Sequence, residues 1–341
     1  MDLEKIVVIG AGNGGHAAAV DLTSRGFDVC LYEFPEFSEK IKDKLKSQVI
    51  QSTGFINGKI NIDLITTDET EAAEYSKIVL VTMPAFGHPR VISKFADKLQ
   101  QGSNVYFFPG NLSTLSSQLI LELDEQKNIT FVEFNSLPYG CRVNAEGVVN
   151  ISIKTGLLTY AAFPAKKTSS VVNEVEKLFP GMRSDTDVFN VSLNNPNPLI
   201  HPPGVLLNLG RIENSEGNFF MYNEGMTYSV IAVINAVERE RQGIGRELGY
   251  ELIKLDDFVS LKVDGSQDSF IGCGRDAHML GPCDRNNRYL TEDVPNGLFY
   301  LSDIAKSVCV PCPNINAIVA LTRTVCDLSL KDQVKIVDSL P

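Results

Sequence analysis

Lys5-Ile6-Val7-Val8-Ile9-Gly10-Ala11-Gly12-Asn13-Gly14-Gly15-His16-Ala17-Ala18-Ala19-Val20-Asp21-Leu22 decides the fold. The unbroken β-branched run over 5–9 reads as a strand buried on both faces, and the small residues from His16 onward read as the opening of a helix. Arg25-Gly26-Phe27 stops that helix, and Val29-Cys30-Leu31-Tyr32-Glu33 is a second strand. Strand, glycine turn, helix and strand within about thirty residues make a βαβ unit. Its crossover is right-handed, so the two strands lie parallel.

Each glycine of Gly10-x-Gly12-x-x-Gly15 has a separate task in such a turn. Gly10 permits the tight exit from the strand, Gly12 lets the backbone approach a pyrophosphate, and Gly15 lets the helix pack close to the sheet. Asn13 and Gly14 complete the candidate cofactor loop, because free N–H groups at a helix N-terminus attract an anion. Glu33 stands 23 positions after Gly10, where an acid can accept hydrogen bonds from a ribose diol. A carboxylate there repels a 2′-phosphate, and no Arg occurs from Phe34 to Ser38. NAD(H) is therefore favoured and NADP(H) left open. The same residues would also suit a tight turn that binds nothing, with Glu33 as a solvated strand-end acid.

Outward from this unit the alternation continues. Strands are predicted at Ile60–Thr66, Lys77–Thr82, Asn104–Phe108, Thr130–Glu133, Val148–Ile153 and Leu157–Ala162, with helices at Glu69–Tyr75, His88–Leu99 and Ser113–Leu123. Ligands of open parallel sheets bind beyond the carboxyl ends of strands, which puts Met83-Pro84-Ala85 and Pro109-Gly110-Asn111 on the cofactor side. Pro84 and Ala85 are taken as cofactor-lining. A charged stretch at Asn173–Leu178, read as a helix, is followed by Pro180-Gly181 and then a polar stretch to Asp187. Beyond it the apolar spacing turns helical: Met226, Val230, Val233, Ile234 and Val237 mark one face, with Glu238 to Arg241 as a solvated end. The expected fold class is α/β: an N-terminal Rossmann-type dinucleotide-binding domain over 1–185, then an all-α second domain over 186–341.

Composition agrees with a folded two-domain chain. The sequence has 341 residues, 43% hydrophobic and 21% charged, enough apolar material for two cores. Lys and Arg number 31 against 42 Asp and Glu, a net charge of −11 that excludes nucleic acid and anionic membrane as general partners. No run reaches the ~18 apolar residues that span a bilayer. The opening residues show no secretory signal, so the N-x-S/T triplets at Asn111, Asn128, Asn150 and Asn190 are read as chance and the compartment as cytoplasmic. Seven scattered cysteines fit a reduced interior. Cys309-x-x-Cys312 lacks a partner pair of metal-ligand spacing, since Cys273 and Cys283 stand ten apart, and reads as two buried inert thiols with no metal.

Asn197-Pro198-Leu199-Ile200-His201-Pro202-Pro203-Gly204 opens the second half. Pro202 favours an extended His201, and Pro203 suits the first turn of a helix. The result is a rigidly presented imidazole, the side chain whose unperturbed pKa lies nearest neutrality. A structural histidine is the competing reading. His16 and His88 could line the cofactor, and His278 completes the four.

Gly-Ala-Gly-Asn-Gly-Gly-His-Ala at 10–17, Asn197-Pro198-Leu199-Ile200-His201-Pro202, Tyr222-Asn223-Glu224-Gly225-Met226-Thr227 and the run from Arg288 through Tyr289-Leu290-Thr291-Glu292-Asp293-Val294-Pro295 to Gly297-Leu298 together resemble the opine dehydrogenases, the octopine/nopaline dehydrogenase family. The resemblance implies a dinucleotide domain followed by a helical domain, with small-molecule substrates in the cleft. It implies NAD(P)H-dependent reductive condensation of an amino acid's amine with a 2-oxo acid, commonly pyruvate. It makes His201 and Asp293 the catalytic pair. Arg288 then becomes the first choice to bind a substrate carboxylate, Arg142 the second, and Asn197 a candidate to hydrogen-bond cofactor amide or substrate; each arginine could instead serve a structural salt bridge. A helical second domain also suits a homodimer. The competing readings are a 2-oxo acid reductase like ketopantoate reductase or glycerol-3-phosphate dehydrogenase, which uses a second-domain Lys, and a non-enzymatic NAD(H)-binding regulator.

Overall fold

Ile6 and Val8 point to one face of their strand and Val7 and Ile9 to the other, and all four are buried because the sheet is covered on both sides. That is why the opening run is continuously apolar rather than alternating. The computed structural model describes residues 4–115, 118–154, 158–260 and 280–328. Cys273, His278 and the start of the strand predicted at Leu157 lie outside the described residues. The chain divides into two units, Met1–Val191 and Ser192–Pro341.

Unit 1 carries strands β1 (Lys5–Ile9), β2 (Asp28–Tyr32), β3 (Val49–Gly54), β4 (Gly58–Asn61), β5 (Leu64–Thr66), β6 (Ile78–Val81), β7 (Asn104–Phe107), β8 (Thr130–Phe134), β9 (Tyr139–Val143), β10 (Val149–Lys154), β11 (Thr159–Phe163) and β12 (Arg183–Ser184). Its helices are α1 (Asn13–Ser24), α2 (Lys42–Ser47), α3 (Glu69–Tyr75), α4 (His88–Phe95), α5 (Gln118–Lys127) and α6 (Thr168–Leu178), and α7 (Val188–Leu193) spans the division. Eight strands form one sheet in the order β12-β11-β8-β7-β6-β1-β2-β5, parallel except where β11 meets β8. The sequence predicts all of this sheet except β12, and the crossover α1 that joins β1 to β2.

A second sheet, β4-β3-β10-β9, was not anticipated. It packs on the side of α1 away from the main sheet, so α1 is clad by β1 and β2 on one side and by β3, β4, β9 and β10 on the other. Every residue of α1 from Gly14 to Leu22 is buried. The run predicted as one strand over 60–66 divides between the two sheets. Gln48, in the left-handed region at φ 56°, holds the division. Its side chain donates to the Leu45 carbonyl at 2.8 Å and the Ile65 carbonyl at 3.1 Å, and accepts from the Ile65 N–H.

Unit 2 is helical among its described residues: α8 (Asn197–Leu206), α9 (Leu209–Asn214), α10 (Tyr228–Glu247), α11 (Leu255–Ser260), α12 (Arg288–Thr291), α13 (Phe299–Ser307) and α14 (Pro313–Cys326). One core, including Leu199, Val205, Phe219, Met221, Ile234, Leu290, Leu298 and Ile315, joins them. Two expectations need correction here. His201 is not extended ahead of a helix starting at Pro203: α8 begins at Asn197 and carries Pro202 and Pro203 inside it. Residues Pro198 to Val205 are all buried, and that packing outweighs the hydrogen bonds the two prolines cannot donate. Nor is Glu238 to Arg241 a solvated end, since α10 runs on to Glu247 and the Arg241 side chain is only 1% exposed. Arg241 pairs with Glu238 and donates to the Leu193 carbonyl at 2.8 Å and the Ile253 carbonyl at 2.6 Å. Buried charge survives where it is paired and fully hydrogen-bonded. Glu240 accepts from Ile315 N–H and Asn314 N–H, both at 2.9 Å, and so caps α14. The two-thiol reading also fails in part: Cys312 is buried but Cys309 is exposed. No helix of the described residues is long and apolar enough to cross a membrane.

Candidate active site

In unit 1 the glycine turn can be tested position by position. Gly10 has φ +99° and donates its N–H to the Tyr32 carbonyl at 2.9 Å. A Cβ on Gly15 would sit 1.8 Å from the Gly10 carbonyl oxygen, and one on Gly14 2.9 Å from Leu137. Packing therefore explains those glycines. Gly12 differs: a Cβ there would meet nothing within 4 Å, and the residue is exposed at the head of α1. Its bareness fits a ligand that must approach the backbone, as a dinucleotide pyrophosphate does.

Asn13 has a structural task, its side-chain oxygen accepting from Val143 N–H at 2.8 Å and tying α1 to β9. Arg142 is exposed on that same strand and donates to the Cys141 carbonyl at 3.0 Å. Glu33 is buried at the end of β2. Its carboxylate accepts from Ala11 N–H at 3.0 Å and Phe34 N–H at 2.8 Å, stitching strand to glycine turn. Burial pushes this carboxyl up, against those two N–H groups. A carboxylate offers about four lone-pair positions, so two donors leave capacity for a ribose diol.

Pro84 and Ala85 follow β6 on the loop that His88 fastens. The Met83 carbonyl can only accept, so His88 carries its proton on Nε2 and donates it at 3.0 Å. Nδ1 lies 2.6 Å from Ser113 Oγ, whose own proton goes to the Gly110 carbonyl at 2.6 Å, and this contact sets the loop after β6 against the loop after β7. Burial pushes His88 down to about 4, and the ring stays neutral against Phe107. His16 is likewise pushed down to about 4 by burial, and its Nδ1–H donates to the Gly12 carbonyl at 2.9 Å. Both imidazoles hold the chain together around the cradle. Glu133, which the sequence reading passes over, is fully buried and accepts from Leu112 N–H and Thr114 N–H, both at 2.8 Å. It shapes the loop after β7, and burial raises its carboxyl to about 7.

Unit 2 brings His201 and Asp293 together across 92 residues. His201 Nδ1–H donates to Asp293 Oδ2 at 2.6 Å, and the ring is 9% exposed. With that proton on Nδ1, Nε2 accepts from the Tyr222 hydroxyl at 3.0 Å. Tyr289 stacks on the imidazole with centroids 3.8 Å apart and planes at 17°. Tyr289 and Asp293 are four residues apart on one helical turn, which is why both meet the same ring. Asn197 stands four residues before His201 on the same side of α8. Arg288 opens α12, half exposed, with Nε 3.5 Å from the buried Glu292 carboxylate. The two tyrosines lie within quoted motifs, but no spacing links them to His201; only the folded helices do.

The comparisons bear on both units. Residues 184–326 match the family model described as the α-helical domain of NAD/NADP octopine/nopaline dehydrogenase, and residues 5–129 match the NAD-dependent glycerol-3-phosphate dehydrogenase N-terminus. An opine dehydrogenase of Arthrobacter sp. (strain 1C) is 27% identical, covering 98% of this chain and 94% of its own. Residues 184–326 are an octopine/nopaline dehydrogenase helical domain, and the chain as a whole is similar to opine dehydrogenases. Two solved structures share the fold. Octopine dehydrogenase in complex with NADH and agmatine has a TM-score of 0.72 at 17% identity, over 94% of this chain and 89% of its own. Yersinopine dehydrogenase with NADP+ has a TM-score of 0.68 at 16% identity, over 95% and 91%. This chain is thus a nicotinamide-dependent dehydrogenase.

Proposed function

We propose that this chain catalyses the NADH-dependent reductive condensation of an amino acid's amine with a 2-oxo acid, pyruvate foremost, to give a secondary amine dicarboxylate. The observation that carries the reading is the Asp293–His201 hydrogen bond of 2.6 Å, buried and closed over by Tyr289. Asp293 fixes the imidazole tautomer and offsets the charge when the ring takes a proton. His201 accepts the proton that the amine nitrogen loses on adding to the oxo carbon, and returns it as the carbinolamine expels water. Arg288 receives a substrate carboxylate, its Nε side steadied by Glu292 and its planar guanidinium suited to a bidentate contact. Asn197 supplies a further amide on the His201 side of α8, and Arg142 is the second candidate cation. Gly10, Gly12, Asn13, Gly14 and Gly15 hold the pyrophosphate, Glu33 the ribose diol, and Pro84 and Ala85 line the dinucleotide. When bound, the reduced cofactor supplies hydride to the imine carbon. NADH is favoured because Glu33 places a carboxylate where NADPH carries phosphate.

The test is a matrix of amino acids against pyruvate, glyoxylate and 2-oxoglutarate, followed by NADH absorbance, in wild type and His201→Ala. Turnover should appear with at least one pair and fall about 10²–10⁴-fold in the variant, while NADH still binds. Near-wild-type turnover in the variant would refute the site. The glycerol-3-phosphate dehydrogenase match is confined to 5–129, the dinucleotide unit, and does not favour a simple oxo-acid reductase.

A further inference from the structure

Tyr222 is placed by its own local architecture. It lies in the π-type turn Met221–Gly225, which closes on Phe219: a Cβ on Gly225 would sit 2.6 Å from that ring. Asn208 fastens the turn to α8, its side-chain amide donating to the Gly204 carbonyl at 2.8 Å and the Gly225 carbonyl at 3.1 Å. Met221 is wholly buried beside it. These contacts bring the phenol oxygen to 3.0 Å from His201 Nε2.

The bond direction follows from Asp293. Its carboxylate only accepts, so Nδ1 holds the ring proton and the Nε2 lone pair receives the phenol O–H. An aromatic nitrogen has one in-plane lone pair, and here the phenol oxygen meets it. When the ring becomes imidazolium the same contact reverses, Nε2–H donating to the phenol oxygen. A proton can therefore cross between ring and phenol without a heavy atom moving.

We propose that Tyr222 is the group that exchanges the proton with substrate oxygen, with Asp293, His201 and Tyr222 acting as a relay. This rests on the condensation reading above. In the dehydration step the Tyr222 O–H gives its proton to the carbinolamine hydroxyl, the C–O bond breaks, and water departs. The nitrogen lone pair closes the C=N bond to an iminium. The imidazolium Nε2–H restores the phenol, so the positive charge passes from His201 to the iminium and no redox change occurs.

Tyr222→Phe removes one oxygen and leaves the turn and its apolar contacts intact. With the amino acid and oxo acid that turn over best, kcat should fall about 10–100-fold in this variant, with NADH binding unchanged by titration. The proton inventory in mixed light and heavy water should change from curved, for two protons in flight, to linear. Replacing Tyr222 with a more acidic difluorotyrosine should move the basic limb of the kcat profile toward lower pH, a response that a packing role would not give. A Tyr222→Phe enzyme of wild-type kcat beside an inactive His201→Ala enzyme overturns the relay alone, as does an unmoved difluorotyrosine profile. An active His201→Ala enzyme, or no turnover with any pair, overturns the condensation reading and the relay with it.

Discussion

Burial holds the His16 and His88 imidazoles down at about 4, against an ordinary 6.5. Between those values the unfolded chain binds protons that the folded chain refuses, so stability is complete above pH 6.5 and is lost as pH falls toward 4. Each shift corresponds to roughly 3 kcal/mol. Glu133, raised from 4.5 to about 7, works in the opposite sense: its contribution is complete below 4.5 and is lost as pH rises through 7. Melting temperature should therefore fall from pH 6.5 to 4, and His88→Gln, whose amide can still donate to the Met83 carbonyl but does not titrate, should flatten that fall. An unchanged slope in the variant would assign the acid sensitivity elsewhere. The glycines give a second contrast. Gly12→Ala meets no neighbour and should fold normally while binding NADH at least tenfold more weakly, about 1.4 kcal/mol. Gly15→Ala collides with backbone and should depress the melting temperature itself.

At the level of elements, α10 is held to the start of unit 2 by Arg241. Replacing it with Met removes the cation paired with Glu238 and the guanidinium donors to the Leu193 and Ile253 carbonyls, which should cost about 3–5 kcal/mol, read from urea unfolding. The sequence conceals this residue because Glu238-Arg239-Glu240-Arg241 has the composition of a solvent-facing turn, and only the chain returning near Ile253 buries it. The same holds for α8, whose two internal prolines mark a helix boundary by local rules and are overruled by neighbours on every side. Where local pattern and burial agree, the elements are legible: β1 and α3 to the residue, β2 within one residue, and α1 in kind, though it starts at Asn13 rather than His16. The small sheet is not, since β3 (VIQSTG) and β9 (YGCRV) mix glycine and polar residues with no apolar run, and the pairing that gives them meaning joins residues about a hundred positions apart. The site shows the same limit. Gly10, Gly12 and Glu33 are readable from spacing, whereas the His201–Asp293 contact is suggested only by resemblance. Tyr222, Tyr289 and Glu133 become visible as participants only once the backbone is folded.

For the whole molecule, each unit carries its own apolar core, and the residues proposed to hold the dinucleotide and the His201 group belong to different units. NADH at a hundred times its dissociation constant should stabilise the folded protein by about 2.7 kcal/mol. The thermal shift should be the same in wild type and His201→Ala, as measured by calorimetry. A shift abolished by that substitution would mean that the imidazole takes part in holding the dinucleotide.

Helix α1, sheathed on both flanks, has no side on which sequence can drift. In a saturation-mutagenesis scan, positions 14–22 should register as one continuous intolerant block, without the three-or-four-residue beat of an ordinary surface helix. Lineages that change the bulk of this helix must then have moved the small sheet with it.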